Sequence, residues 1–444
     1  RSKLHNYVTC SILMSIITIK KHMVKNKTLF KSLLTIPVNH HKRTTLKWLG
    51  GSLLLASMGA NAIEKSKCSP TLRYQRAINY LGKHQAGVIT PEQKHASFIA
   101  LDLTVTTPEE VEKIFRTLTQ RIAFLTQSRE LKESHNPHLP PAGSGILGSQ
   151  LYPDELTITV ALGDSFFDNR FGFQAHKPKR LEAMKPFPND RLDPKWCGGD
   201  LLLQLCANSQ ESIIYALRDI LKYLSGQVHA RWKIDGFLPA RDIDNQQTPI
   251  NLFGFKDGTG NAPATDTHLM DDLVWITDKQ NEPQWCLGGS YQAVRLIRFA
   301  LEFWDRTPLE DQENNFGRHR ATGAPIGMKQ EMDSPEFEQD PHGDRILFDS
   351  HMRRAEPRTP ERYSAKLRRR SYSYSLGLTP SGQLDMGLVF VSFQNNLKKG
   401  FIDTQKRLNG EPLERYIKPF GGGYYFVLPG VTQASDILAK GLFT

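Results

Sequence analysis

The sequence is poor in cysteine. Its 444 residues contain five, Cys10, Cys68, Cys197, Cys206 and Cys286. They are too few and too widely spaced for a disulfide scaffold, although one disulfide among the last four would suit an oxidising compartment. No Cys-x-x-Cys pair occurs, so the sequence has no motif for structural zinc, an iron–sulfur centre or covalently attached haem.

Acidic residues are lacking from the first part of the chain. Residues 1–62 contain ten Lys and Arg residues and no Asp or Glu. The chain as a whole has 57 basic and 46 acidic residues, a net charge of +11, so the 47 bases that remain after residue 62 nearly balance the 46 acids. Binding to nucleic-acid phosphates needs a net positive surface. We therefore expect no nucleic-acid partner.

A long apolar run is also lacking. The apolar residues 48–58 are interrupted by glycine and are too few to span a bilayer. They follow Lys42-Arg43 and precede Ala60-Asn61-Ala62, which is the order of an export signal with its cleavage site. The segment resembles a twin-arginine signal with Lys in place of the first Arg. We expect a periplasmic protein that is not an integral membrane protein once processed.

Residues 1–40 fit this leader less well. They begin with Arg and contain a second apolar patch, residues 10–19. We expect an upstream extension, with the true start at Met14 or Met23. The alternative is a short amphipathic or membrane-associated N-terminal segment.

The pattern after the leader repeats once. Strands are predicted at residues 95–105, 156–162 and 201–208 and helices at 107–125 and 210–224; their counterparts are strands at 290–299, 371–378 and 387–396 and helices at 301–306 and 397–408. Two strand–helix–strand–strand–helix units predict an α+β fold of two duplicated ferredoxin-like domains, antiparallel sheets with helices on one face. The predicted division is a leader 1–62, an N-terminal domain 63–255 and a C-terminal domain 256–444. Polar insertions are expected at 164–194 and 308–366.

One glycine-rich loop presents a single carboxylate. Residues 254–261 read Gly-Phe-Lys-Asp-Gly-Thr-Gly-Asn, a run too flexible for the interior of a helix or strand. Glycines let the backbone take positive φ and let a flat ligand approach the main chain. Alone, the Asp257-Gly258 pair would be an ordinary surface turn.

A histidine and a cluster of arginines lie in the second polar insertion. His351 follows Ser350 and precedes Arg353, and eighteen residues later comes Arg369, between Arg368 and Arg370. One histidine among 14 is more often an exposed side chain than a ligand. If a strand begins here, Arg370 would face away from Arg369, because alternate residues of a strand point to opposite sides.

Together these residues resemble the signature of the dye-decolourising haem peroxidases. The resemblance covers most of residues 64–444 and extends, through residues 188–206, 303–308 and 385 onward, to the exported deferrochelatase/peroxidase branch of that family. It implies one haem b per chain in the C-terminal domain. It also implies hydrogen peroxide and an organic reductant or a haem or porphyrin as substrates, a homodimer, and partner proteins of iron uptake.

The resemblance assigns roles to individual residues. Asp257 and Arg369 are implied as the catalytic proton acceptor and fixed cation, and His351 as the iron ligand. Further cofactor-binding residues are implied on the surrounding loops: Gly258, Thr259, Gly260, Arg318, Glu356, Pro357, Arg358, Arg369 and Phe393. A carboxylate accepts protons at pH values where histidine would be charged, so we expect an acidic optimum.

Two other classes of function would each need only part of this pattern. A haem carrier or sensor would need His351 and an apolar pocket but neither Asp257 nor Arg369. A component of an iron-uptake assembly would use the duplicated frame without haem. The sequence departs from the family pattern in Asn261-Ala262-Pro263, where Asn-Pro is usual, and in Glu356, where Asn is usual.

Overall fold

The computed structural model describes residues 74–131, 136–139, 146–356 and 367–443. The predicted export signal lies outside these residues. Within the described ranges, no helix combines the length and apolar character that a membrane crossing needs.

The first ferredoxin-like unit spans residues 95–237. Its elements in chain order are β1 (His95–Leu103), α1 (Pro108–Leu125), β2 (Arg129–Glu130), β3 (Gln150–Leu151), β4 (Thr157–Gly163), β5 (Leu201–Ala207), α2 (Gln210–Tyr223) and β6 (Val228–Phe237). Thr107 and Glu110 cap α1 reciprocally, as their spacing predicts. The main strands lie in the antiparallel order β4–β5–β1–β6.

The second unit repeats this arrangement. After α3 (Ala240–Asp244) and α4 (Thr267–Leu273), its elements are β7 (Ser290–Phe299), α5 (Leu301–Trp304), α6 (Leu309–Phe316), α7 (His351–Ala355), β8 (Arg368–Arg369), β9 (Tyr372–Leu378), β10 (Leu384–Gln394), α8 (Asp403–Leu408) and β11 (Ile417–Val427). A π-helical turn, Lys398–Ile402, leads into α8. The antiparallel order β9–β10–β7–β11 matches the first unit. The predicted α+β fold of duplicated ferredoxin-like units is confirmed.

The two sheets join edge to edge into a closed barrel. β11 pairs with β4, and β6 pairs with β9. With β10 paired to both β9 and β7, the eight long strands form a ring. β8 lies beside β10 on the same edge as β9, with Arg369 opposite Ser392. The predicted division between residues 255 and 256 falls between β6 and β7.

Three groups of buried side chains fill the fold. The inner core lies inside the barrel and includes Phe98, Val294, Tyr372 and Phe393. The helix-side core packs α1 and α2 onto the outer faces of the sheets. The site-side cluster covers the outer face of the second sheet with Phe253, Phe255, Phe299, Trp304, Leu388, Leu413 and Tyr416.

The predicted insertion at 164–194 links the two units. It contains only short 3-10 turns, Asp164–Phe167, Gln174–His176 and Pro194–Trp196. At its end the backbone N–H of Arg191 donates to the carbonyl of Pro419 on β11 at 2.8 Å. Asp190 forms an ion pair with Arg295 on β7, and both side chains are 1% exposed. A buried charge pair therefore holds the insertion against the second sheet.

Several predicted details differ from the structure. β6 and β11, the fourth strand of each unit, were not predicted. The polar segment 308–366 contains α6 and α7 in its described part. Cys197, Cys206 and Cys286 are free thiols, and Cys68 lies outside the described residues. Further 3-10 turns lie at Asp278–Gln280, Gln284–Cys286, Phe337–Gln339, Pro412–Arg415 and Lys440–Leu442.

Candidate active site

Buried aromatic residues anchor the loop that carries Asp257. Phe253 and Phe255 are each 2% exposed and belong to the site-side cluster. The side-chain oxygen of Asn251 accepts hydrogen bonds from both of their backbone N–H groups, at 3.0 and 3.3 Å. Gly254 has a φ of 84°, a conformation that glycine adopts without strain. The loop can therefore fold back and leave Asp257 at the edge of the cluster, 17% exposed.

Arg369 points to this carboxylate. Its Nη1 lies 3.2 Å from Oδ1 of Asp257, and its Nη2 donates to the carbonyl of Thr259 at 2.8 Å. The flanking residues face the other side of the strand, as alternation requires. Arg368 donates to the carbonyl of Ala262, and Arg370 to the carbonyl of Thr90. The structure thus brings the middle arginine, and neither of its neighbours, to Asp257.

Asn261 fixes the backbone of Arg369. Its side-chain oxygen accepts from the Arg369 N–H at 3.0 Å, and its side-chain amide donates to the Arg369 carbonyl at 2.9 Å. Such a pair of bonds imitates the pairing of a neighbouring strand. Because β8 has only two residues paired with β10, this amide gives the short strand a partner on its second edge.

His351 begins α7, directly after Ser350. Its Nδ1 lies 2.7 Å from Oε2 of Glu411, a carboxylate that is 3% exposed. Its ring is 6.2 Å from that of Phe316, which packs against the site-side cluster. The imidazole is 35% exposed, so one side of the ring stays open while the other is held by a buried anion.

The charges of Asp257 and Arg369 both act on His351. Burial lowers the pKa of His351, but the nearby Glu411 carboxylate outweighs it, and the net pKa lies above its ordinary value. The Arg369 charge also acts on the pKa of His351 in the lowering direction and the Asp257 charge in the raising direction. The three side chains are thus close enough for their charges to interact.

A buried ion pair supports the helix that carries His351. Arg353 donates from Nη1 to Oδ2 of Asp340 at 2.8 Å and to the carbonyl of Ile346 at 2.6 Å. The same carboxylate oxygen accepts from the N–H of Ile346 at 2.9 Å. Asp340 thereby joins the preceding segment to α7, which orients His351.

The structure places the remaining predicted residues unevenly. Gly258, Thr259 and Gly260 lie in the Asp257 loop. Arg318 donates from Nη1 to the carbonyls of Gly323 and Glu331, at 2.7 and 3.0 Å, and Glu356 follows the end of α7. Pro357 and Arg358 lie outside the described residues.

Phe393 lies away from this group of residues. It is fully buried in the inner core of the barrel, opposite Arg368 in the register of β10. Arg369 is paired with its neighbour Ser392, which faces the other way. The cofactor-binding role that the resemblance implies for Phe393 stays a prediction.

Two functional candidates were not found in the sequence. Glu411 lies 60 residues after His351, and Glu331 lies 74 residues after Asp257. Neither belongs to a motif or a periodic pattern, so only the folded chain shows their contacts.

The residues present fit haem. Haem iron needs only one or two protein ligands, because the porphyrin supplies four. An imidazole whose Nδ1 is held by a carboxylate is oriented to offer Nε2 to a metal, and His351 is in that state. The partly buried ring of Phe316 gives His351 an apolar neighbour at 6.2 Å. Among the described residues, no group of three or more His, Cys, Asp and Glu side chains is arranged to hold a free metal ion.

The structure therefore contains a histidine held by a buried carboxylate and, separately, an Asp–Arg pair whose charges act on that histidine. Comparison with known families assigns the chain to a class. Residues 85–238 match the N-terminal and residues 248–432 the C-terminal model of the Dyp-type peroxidases. Since the two models cover most of the chain, it belongs to the Dyp-type peroxidase family.

Individual relatives agree with this family. The chain is 50% identical over 407 residues to the deferrochelatase of Escherichia coli O157:H7, a match that covers 90% of this chain and 96% of the relative. The deferrochelatase of Shigella flexneri serotype 5b is 50% identical over 406 residues, with the same coverage. The crystal structure of a DyP-type peroxidase from Cellulomonas bogoriensis is 31% identical, with a TM-score of 0.74 over 83% of this chain and 99% of that one. DtpA of Streptomyces lividans, solved as an oxyferrous complex, is 27% identical with a TM-score of 0.74 over 85% and 100%. The chain is therefore a haem-dependent peroxidase that reduces hydrogen peroxide while oxidising an organic donor.

Proposed function

We propose that the chain binds one haem b through His351 and that Asp257 and Arg369 carry out the proton transfer and charge stabilisation of peroxide reduction. The observation that carries this proposal is the 3.2 Å contact between Nη1 of Arg369 and Oδ1 of Asp257. The charges of these two side chains also act on His351. Gly258, Thr259, Gly260, Arg318, Glu356, Pro357 and Arg358 are proposed as further haem contacts.

Haem, when bound, would supply the redox-active iron at which peroxide is reduced. Asp257 takes a proton from one peroxide oxygen and returns it to the other, which leaves as water. Arg369 cannot be deprotonated and stabilises the negative charge that develops on the departing oxygen. Glu411 orients the His351 ring and increases its basicity as a ligand. A haem carrier would need only Glu411 and His351.

A spectrum tests the assignment. The haem-reconstituted protein is mixed with one equivalent of hydrogen peroxide at about pH 5, and the Soret band is followed by stopped flow. We expect a rapid change in the wild type and a rate roughly a hundredfold lower in Asp257→Asn. Asp235→Asn removes a carboxylate that is 51% exposed on β6 and serves as the control, with no expected effect.

Each outcome has a different meaning. Failure of the wild type to take up haem would overturn the cofactor assignment. Haem uptake with no response to peroxide would favour a haem carrier. A normal rate in Asp257→Asn would remove that residue from the mechanism while leaving the peroxidase activity in place.

Release of iron from haem is a second candidate activity. It is favoured by the 50% identity to proteins named deferrochelatase over 90% of the chain. In that reaction iron leaves the porphyrin and two protons take its place on the ring nitrogens. Fluorescence of free porphyrin, together with capture of the iron by a coloured chelator, would show the activity. Haem that remains intact under reducing and oxidising conditions would exclude it.

Export, assembly and iron uptake are proposed on the sequence alone. The order of basic, apolar and small residues within 42–62 supports a twin-arginine route to the periplasm. Cell fractionation of the Arg43→Gln variant tests this route. Variant protein that still reaches the periplasm would contradict it. The homodimer is checked by sedimentation equilibrium. Co-purification from periplasmic extracts checks the iron-uptake partners.

A further inference from the structure

Glu331 makes an unusual number of contacts for a residue in an irregular segment. Its Oε1 accepts hydrogen bonds from the hydroxyls of Thr248, at 2.5 Å, and Thr259, at 2.8 Å. Its Oε2 accepts from the Lys256 ammonium. Its side chain is only 14% exposed. Hydrogen bonds to a charged, largely buried acceptor are the strong ones.

These three partners lie on both sides of Asp257 in the sequence. Thr248 precedes the loop, Lys256 is the residue next to Asp257, and Thr259 follows it by two positions. The Glu331 carboxylate thus connects residues 248, 256 and 259 to the segment around residue 331. Arg318 secures that segment in turn by donating to the Glu331 carbonyl at 3.0 Å.

The loop needs such a tie because its backbone is flexible. Gly254, Gly258 and Gly260 have φ values of 84°, 130° and 85°, and glycine loses more conformational freedom on ordering than other residues. Inside the loop, Asp257 is fixed by its N–H bond to the Pro249 carbonyl at 2.8 Å. After that point a second backbone bond joins the Asn261 N–H to the Gly258 carbonyl at 3.0 Å, and Thr259 between them is held by Arg369 and Glu331 from outside the loop.

We propose that Glu331 is a positioning residue of the peroxidase reaction, which holds the loop 248–259 in the conformation that directs Asp257 towards its substrate. The proposal rests on the catalytic role assigned to Asp257. Glu331 also forms an ion pair with the Lys256 ammonium. Misplacing a catalytic group by about 1 Å can cost roughly a hundredfold in rate, so a tie of this kind affects turnover.

The hydrogen bonds that Glu331 accepts should persist at acidic pH. Burial raises the pKa of Glu331, but the hydrogen bonds from Lys256, Thr248 and Thr259 outweigh it, so the pKa lies below the ordinary value of 4.5. The charged groups that face Glu331 are Lys256, on its carboxylate, and Arg318, on its carbonyl. A group with a depressed pKa stabilises the fold fully above its ordinary pKa, and that contribution is lost as the pH falls through the lowered value. The loop therefore remains ordered where an acidic peroxidase works.

Hydrogen exchange measured by mass spectrometry tests the tie without any turnover. In Glu331→Ala, peptides covering residues 248–261 should exchange faster, while peptides covering β5 and α2 should be unchanged. The difference from wild type should be constant above pH 4.5 and shrink as the pH falls further. Unchanged exchange in the loop would overturn the proposal.

Kinetics tests the functional part. In Glu331→Ala we expect kcat for peroxide to fall about tenfold or more, with the KM for the organic donor unchanged. Glu331→Gln keeps the two threonine contacts and should recover part of the loss. Asp333→Asn is the matched control, because its carboxylate accepts hydrogen bonds from the nearby N–H groups of Lys329 and Gln330, at 3.1 and 2.8 Å.

The readouts separate the two proposals. If Asp257 is not catalytic, Glu331→Ala would loosen the loop without a loss in kcat. If Glu331 only stabilises the fold, Glu331→Ala and Asp333→Asn would each lower the melting temperature and leave kcat unchanged below it. Either result overturns the positioning role, and only the first also counts against Asp257.

Discussion

Asn261 should contribute to peroxide turnover only through Arg369. Its side chain makes two hydrogen bonds to the Arg369 backbone, at 3.0 and 2.9 Å. Arg369 in turn is the residue whose guanidinium reaches Asp257. Removing the amide should leave the strand β8 held on one edge alone and let the guanidinium move away from the carboxylate.

The expected magnitudes follow from these contacts. Arg369→Leu removes one preorganised donor, which costs about 2.7–4 kcal/mol or roughly 10²–10³ in rate. Asn261→Ala removes two neutral hydrogen bonds of about 1 kcal/mol each, which would amount to roughly thirtyfold if the whole loss appeared in the transition state. The double variant should be no slower than Arg369→Leu, because once the guanidinium is gone the amide has nothing left to position.

The assay is the rate of reaction of the haem-reconstituted protein with peroxide, measured for wild type, both single variants and the double variant. Asn395→Ala is the control: Asn395 is 8% exposed and donates to the Asp272 carbonyl at 2.7 Å, so its loss should lower stability without slowing peroxide. A double variant that loses the product of the two single effects would show that Asn261 acts independently of Arg369, and would refute the reasoning.

Two further predictions concern the iron ligand and the fold. Glu411→Gln keeps a hydrogen-bond acceptor 2.7 Å from His351 but removes the negative charge. Haem affinity, measured by titration, should therefore fall about 10- to 100-fold. Unaltered affinity would mean that the charge of Glu411 does not affect haem binding by His351. Asp190→Asn leaves the Arg295 cation, which is 1% exposed, without its counter-charge, and should cost about 3–5 kcal/mol of unfolding free energy in denaturant. Glu112→Gln breaks an ion pair exposed at 52% and 36% and should cost less than about 0.5 kcal/mol; equal losses in the two variants would contradict the role given to burial.

The strands that the sequence did not reveal show where local patterns fail. β11 contains Pro419 and three consecutive glycines, residues that are usually depleted in strands. The fold requires them, because a Cβ on Gly422 would lie 2.0 Å from the Val294 carbonyl and one on Gly421 would lie 2.6 Å from the Trp196 carbonyl. That crowding comes from the neighbouring strand β7 and from the turn Pro194–Trp196, both distant in sequence from β11. In β6, by contrast, the alternation of Trp232 and Ile234 with charged residues was present and could have predicted the strand.

The site was predictable to the extent that it is local. The glycine loop and the alternation around Arg369 are visible in short stretches of sequence, and the structure brings Asp257 and Arg369 together. Glu411 and Glu331 are carboxylates without a local pattern, and their partners lie 60 or more residues away. Such contacts depend on which loops the barrel brings side by side, which no short stretch of sequence specifies.

The way in which Asp257 and Arg369 are held argues for catalysis over carriage. His351, Glu411 and the site-side aromatic residues would be enough to bind haem. Yet a separate set of polar contacts, from Asn261 to the Arg369 backbone and from Thr259 to both Arg369 and Glu331, fixes Arg369 and the loop of Asp257. Ordering a three-glycine loop opposes folding through its entropy, and a carrier gains nothing from it. A peroxidase does, because its carboxylate and guanidinium must already be in place when peroxide arrives.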